Sequence, residues 1–220
     1  MTETGTTGVG VTLEGLGDWR RTHTCGELTR ADANAKATLM GWVHRVRDHG
    51  GVLFVDLRDR YGLTQVVFRP EICGAEVMAR AGLLGNEWVI AARGPVTLRP
   101  GESANAELPT GAVELEAREI RILAASAPLP FQVNEDVHLA NEDLRLRFRY
   151  LDLRRPELAA MLALRHRAAQ AGRAFLSGAS FLEIETPVLV KPTPEGARDY
   201  LVPSRVHPGK FYALPQSPQL

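Results

Sequence analysis

The stretch at 41–68, GWVHRVRDHGGVLFVDLRDRYGLTQVVF, constrains the chain most strongly. It reads as three consecutive strands: two apolar-rich runs meet at the turn signal Asp48-His49-Gly50-Gly51, and a third is entered through Tyr61-Gly62. A strand sends successive side chains to opposite faces, so Leu53, Val55 and Leu57 share one face of the middle run while Phe54, Asp56 and Arg58 share the other. An aromatic ring therefore stands among charges on the face that meets water. Arg45 and Arg47 share a face of the preceding strand, and beside them such a ring could stack a nucleobase while the guanidinium groups track phosphate. These residues alone equally allow a ring packed under a loop beside an ordinary solvated face.

The flanking segments extend the pattern. Residues 37–47 form the first long strand, with Gly41 as its bend or bulge point. Pro70 stops the third strand, and residues 71–82 follow with a short helical pattern through Ile72, Val77 and Met78. Two further strands are read at 88–98 and 113–123, joined by a Pro/Gly/Asn-containing segment. In the last of them Val113, Leu115 and Ala117 are in phase, but Ile120 and Ile122 are one residue out of step, which predicts a bulge near Arg118. Three strands, a helix and two strands make the order of an OB-fold, a five-stranded barrel that commonly binds single-stranded nucleic acid.

Charge is zero in total but uneven in distribution. Residues 18–69 carry nine Lys/Arg against six Asp/Glu, residues 144–173 eight against two, and residues 99–143 three against nine. Two basic segments around an acidic one fit a polyanion touching selected faces, while the neutral total argues against indiscriminate nucleic-acid binding. Hydrophobic content of 45% with 24% charged residues is that of an ordinary soluble globular protein and suggests neither a disordered chain nor a membrane span. Cys25 and Cys73 are too few and too separated for a disulfide framework or a metal knuckle, which favours a reducing compartment and no metal site. Residues 1–17, rich in Thr and Gly, read as a flexible leader rather than a secretion signal.

Beyond the barrel at 18–124, the small residues and prolines of AASAPLPF at 124–131 mark a hinge, and residues 125–148 form a linker ending in a basic helical connector. Pro156 occupies a first helical position with Glu157 in the first turn. Leu158, Met161, Leu162, Ala168, Ala169, Gly172, Phe175 and Leu176 then recur at helical spacing, so one stripe is buried against something; Gly178 is the stop, and 181–185 is a short strand ended by Pro187.

The runs RYLDLRRP at 149–156, FLEIETP at 181–187, TPEGARDYLVPSR at 193–205 and GKFYALPQSPQL at 209–220 resemble the class II aminoacyl-tRNA synthetases, and among them the bacterial type of aspartyl-tRNA synthetase. CGEL at 25–28, GWVHR at 41–45 and DLRDR at 56–60 extend the resemblance into the first half. It implies a five-stranded OB-fold anticodon-binding domain followed by the start of a class II antiparallel-sheet catalytic domain at 149–220. It also implies that Phe54 stacks on the central anticodon base, that Gln65 hydrogen-bonds that base, and that Arg45 and Arg47 hold the anticodon loop. The helix and the strand ending at Pro187 resemble the family's motif 1, which forms a homodimer interface. Glu195 resembles the loop residue that contacts the amino group of aspartate, and Ser217 and Gln219 resemble aspartate-pocket residues. Some bacterial members also charge asparagine tRNA, and His49, at the turn beside the anticodon-reading strands, could bear on that choice.

The activity so implied is ATP-dependent, magnesium-assisted activation of aspartate and its transfer to tRNA in the cytoplasm, without DNA or membrane as partner. The stretches that would correspond to motifs 2 and 3, with their ATP-binding arginines, are not among these 220 residues. The chain is therefore expected to be the N-terminal portion of a ligase, inactive alone and binding neither ATP nor Mg2+ well. The competing expectations are a non-catalytic tRNA anticodon-binding module and a relic retaining only dimerisation.

Overall fold

The structure is a computed structural model that describes residues 5–6, 11–133, 139–192 and 199–215. The chain falls into two compact units, residues 1–159 and residues 160–220.

The first unit is built on a closed barrel. Its strands are β1 Lys36–His49, β2 Val52–Arg58, β3 Leu63–Phe68, β4 Val89–Leu98, β5 Val113–Glu116 and β6 Glu119–Ala124, with helix α1 Pro70–Ala81 between β3 and β4. At roughly 3.3 Å per residue, β1 is too long for one ladder of a small barrel. It serves two: Lys36 to Trp42 pair with β4, from Pro95 to Val89, and Trp42 to His49 pair with β2, from Arg58 to Val52. The strand shifts register between Val43 and Arg45 rather than at Gly41. Gly41 instead permits a close approach, since a Cβ there would lie 2.3 Å from the Arg58 carbonyl oxygen. The extra residue at the shift, His44, changes the phase. Leu39 and Val43 face the core before it, and after it Arg45 and Arg47 pair outward opposite Asp56 and Phe54.

The strand expected at 113–123 is divided at the anticipated place. The Ala117 N–H donates to Val67 O at 2.9 Å and the Arg118 N–H to Arg93 O at 2.9 Å, so the chain leaves one ladder and joins another within two residues. β5 lies parallel to β3 through Val66–Leu115 and antiparallel to the far half of β4, while β6 pairs with the near half of β4. This step, with the β1–β4 ladder, closes the barrel and leaves few edges. Leu39, Val43, Val55, Leu57, Val66, Phe68, Ile90, Leu115 and Ile122 fill it. α1 kinks at Gly74, where φ is +79°, and packs Val77, Met78 and Ala81 against the same core.

The step works only because Gly94 lacks a side chain: a Cβ there would stand 1.9 Å from the Glu116 carbonyl oxygen. Gly94→Ala is expected to lower barrel stability by about 1–3 kcal/mol through overpacking against rigid backbone, measured as the urea unfolding midpoint of the whole chain. An unchanged midpoint would show that β5 can move aside.

Residues 11–17, expected as part of a flexible leader, are instead seated on the barrel. Val11 lies in the core and the Glu14 N–H donates to Ile122 O at 2.9 Å, while Glu14 also pairs with Arg80. An apolar β-branched residue in a Thr/Gly-rich run supplies enough buried surface to hold it. Beyond the barrel come α2 Glu142–Arg147, capped by Asn141 Oδ1 on the Leu144 N–H at 2.9 Å, then α3 Arg149–Asp152 and the start of α4 Pro156–Gly178.

The second unit holds the remainder of α4 and the antiparallel pair β7 Leu201–Pro203 and β8 Phe211–Ala213. α4 ends in a Schellman arrangement, Phe181 N–H to Leu176 O and Ser180 N–H to Ser177 O, both at 3.0 Å. The left-handed residue is Ser180, at φ +69°, not Gly178 as expected. The stretch 181–185, expected as a strand, forms no ladder among the described residues, and its Leu182 is 83% exposed. A strand needs a second backbone at ladder distance, and no ladder partner for this stretch occurs among the described residues. The apolar stripe of α4 is likewise uncovered in the single chain, with Phe175 77% exposed.

Candidate nucleic-acid interface

Cross-strand registers carry the outer face of the barrel through two rows. Arg45, Asp56 and Gln65 lie opposite one another on β1, β2 and β3, and Arg47, Phe54, Val67 and Glu116 form the next row on β1, β2, β3 and β5. The four barrel residues singled out from the sequence are thus neighbours on one surface. Phe54 is half-buried, outside the core cluster, and His49 stands edge-on to it at 5.8 Å between ring centroids. Aromatic rings outside a core are the groups on which single-stranded bases stack.

Gln65 is only 5% exposed and sits in a polar network. Its Oε1 accepts from Arg99 Nη2 at 2.7 Å and from Arg47 Nη2 at 3.4 Å, while its Nε2 donates to Glu114 Oε2 at 2.9 Å. Glu114 Oε1 also accepts from Arg69 Nη2 at 3.0 Å, and Arg69 Nη1 reaches Glu116 at 3.1 Å. Arg47 Nη2 is held by Asp56 Oδ1 at 2.7 Å. Three guanidinium groups and three carboxylates neutralise one another in this network. Arg47 is therefore committed to Asp56 and Gln65, whereas exposed Arg45 carries no ion pair among the described residues. Arg47 Nε is buried without an acceptor.

Asp56, Arg69, Arg99, Glu114 and Glu116 were not singled out from the sequence. The available signal was the alternation of Glu114 and Glu116 with Val113, Leu115 and Ala117, which puts both carboxylates on the outer face of β5. That β5 would lie beside β3 is a matter of barrel closure. Pro187 is exposed in the stretch after α4, and Glu195, Ser217 and Gln219 lie outside the described residues. Among the described residues no three or more His, Cys, Asp or Glu side chains gather as a metal site. No helix among them is long and apolar enough to cross a membrane.

Comparison with known proteins covers both parts of the chain. Residues 37–123 match the OB-fold nucleic acid binding domain, and residues 141–220 match the class II tRNA synthetases (D, K and N). The aspartate–tRNA(Asp/Asn) ligase of Desulfotalea psychrophila is 56% identical over 208 residues, 94% of this chain and 34% of the relative. That of Moorella thermoacetica is 54% identical over 210 residues, 96% of this chain and 34% of the relative. The chain thus spans about a third of the length of the curated relatives it matches. Among solved structures, the asparaginyl-tRNA synthetase of Pyrococcus horikoshii complexed with asparaginyl-adenylate aligns with a TM-score of 0.74 at 25% identity, covering 91% of this chain and 43% of that one. The aspartyl-tRNA synthetase of Entamoeba histolytica shares the fold, with a TM-score of 0.68 at 23% identity over 77% of this chain and 39% of its own. Two adjoining family matches, and relatives more than half identical along nearly the whole chain, make this chain similar to part of the aspartate–tRNA ligases, with an OB-fold match followed by a class II synthetase match.

Proposed function

We propose that this chain supplies the anticodon-reading barrel and the first part of the catalytic domain of an aspartate–tRNA ligase. The observation that carries the reading is the single surface shared by Phe54, Gln65, Arg45 and Arg47. Phe54 stacks on the central anticodon base and Arg45 meets the loop phosphates. Arg47 acts mainly by holding Gln65 and Asp56 in place. Gln65 has its oxygen filled and one Nε2 hydrogen used on Glu114, so it offers the second hydrogen to an acceptor on the base edge. His49, against the Phe54 ring, is placed to bear on the choice between aspartate and asparagine tRNA.

In the complete ligase, ATP with Mg2+ activates aspartate to an adenylate and releases pyrophosphate, and the aminoacyl group then passes to the terminal ribose of the tRNA. Glu195, Ser217 and Gln219 are the residues here assigned to aspartate. No group of three or more His, Cys, Asp or Glu side chains able to hold that metal occurs among the described residues. The uncovered stripe of α4 and the stretch ending at Pro187 are assigned to pairing with a second copy, in the cytoplasm.

The test is titration of the 220-residue chain with an aspartate-tRNA anticodon hairpin, alongside aspartate-dependent exchange of pyrophosphate into ATP. Binding that weakens with added salt and with removal of the central anticodon base, together with no exchange, is the expected result. Equal affinity for an unrelated hairpin would overturn the RNA assignment. Measurable exchange would overturn the assignment of catalysis to the longer protein.

A further inference from the structure

Glu87, just before β4, combines three features that a connecting residue rarely shows together. It is only 6% exposed, its φ is +63°, and its carboxylate bridges two arginines distant in sequence. Oε1 accepts from Arg58 Nη2 on β2 at 2.7 Å, and Oε2 accepts from Arg154 Nη1, beyond α3, at 2.7 Å. Both guanidinium groups stand over the Trp42 ring, Arg58 at 6.0 Å and Arg154 at 4.9 Å from its centroid. Arg58 Nη1 also meets His44 Nδ1 at 3.2 Å. The backbone is pinned as well, with the Glu87 N–H donating to Val43 O at 2.7 Å and the Val43 N–H to Trp88 O at 2.8 Å.

A left-handed backbone favours Gly or Asn, so the strained Glu points to a use for its side chain. Arg155, the next residue, belongs to a second hub. Asp152, fully buried, accepts from Arg149 at 2.8 Å and lies 3.5 Å from Arg155 and 3.6 Å from Arg145. One carboxylate thus organises α2, α3 and the start of α4, and the other fastens that assembly to the barrel.

We propose that Glu87 is a positioning residue, a latch that seats residues 142–155 on the barrel by bridging Arg58 and Arg154 over Trp42 and so sets where α4 begins. Because Arg58 alternates with Phe54 and Asp56 on the outer face of β2, the latch is built into the same strand face that is read above as the RNA surface. Only this last link rests on the anticodon-binding reading.

The test is amide hydrogen exchange on the full chain carrying Glu87→Gln, Glu87→Gly or Arg154→Met. Exchange across 142–155 should quicken about tenfold in all three, the loss expected when a charge-assisted hydrogen bond is removed, while β2 and β3 keep their protection. Glu87→Gly separates the side chain from the backbone, since it relieves the left-handed strain and still opens the latch. Unchanged exchange across 142–155, or equal quickening through the barrel in the glycine variant, would overturn the proposal. Hairpin affinity should stay within about twofold in every variant, as the bound surface is untouched. Absence of hairpin binding by the unaltered chain would sink the anticodon reading and leave the exchange result standing.

Discussion

Glu114→Ala is expected to destabilise the barrel by about 3 kcal/mol, the low end for removing one partner of a buried ion pair. Glu114 is 4% exposed and, among the described residues, is the only one that touches Gln65, Arg69 and Arg99 together. Without it Arg69 keeps Glu116, at 3.1 Å, but among the described residues Arg99 retains only neutral oxygens, Gln65 Oε1 at 2.7 Å and Gly111 O at 3.4 Å. A guanidinium group left against the barrel wall without a carboxylate meets a desolvation cost that those contacts do not offset. Urea unfolding of the full chain measures the loss, and Glu114→Gln should recover part of it by keeping an acceptor for Arg69 or Gln65. A midpoint unchanged in Glu114→Ala would mean that water reaches Arg99 freely. Hairpin affinity should fall as well, because Gln65 loses the acceptor that orients its amide.

Phe54→Ala should behave oppositely, with a large effect on binding and a small one on folding. Stacking of a base on an aromatic side chain contributes about 1–3 kcal/mol, so affinity for the anticodon hairpin should drop by about one to two decades. The ring lies outside the core cluster, and its cross-strand contacts hold the fold by no more than about 1 kcal/mol. Phe54→Tyr should bind nearly as the unaltered protein does, since the π face is kept. Unchanged affinity in the alanine variant would show that the ring is no platform. A stability loss matching that of a core Leu or Phe truncation would show that it belongs to the interior.

Much of the barrel was legible in the sequence because its strands follow local rules. Leu53, Val55 and Leu57 alternate with Phe54, Asp56 and Arg58, and burial follows that alternation residue by residue. The phase slip between Ala117 and Ile120 marked the step at Arg118, because a strand that turns a barrel corner must lose register there. The second unit was less legible. Residues 181–185 carry a strand-like pattern and the stripe of α4 carries a buried-helix pattern, yet both are exposed in the single chain. Such patterns record that a face is to be covered and say nothing of what covers it.

The candidate site divides in the same way. Phe54, Arg45, Arg47 and Gln65 were reached from one strand's alternation and a family resemblance, and the registers place them side by side. The division of labour between the two arginines was not reached, because it depends on the partners each side chain meets. Arg47 is committed to Asp56, while Arg45 remains uncommitted among the described residues.

From its residues alone this protein had its strand faces, its helix slots, its turns and its family resemblance, because these depend on neighbours a few positions apart. Closure of the barrel decided the rest. It brought Gln65 to Glu114 across 49 positions, and the seating of residues 142–155 on the barrel brought Arg154 to Glu87 across 67. The inserted residue at His44 turned Arg45 and Arg47 outward. Contacts of that span arise only when two distant elements meet, and no local periodicity encodes which two will.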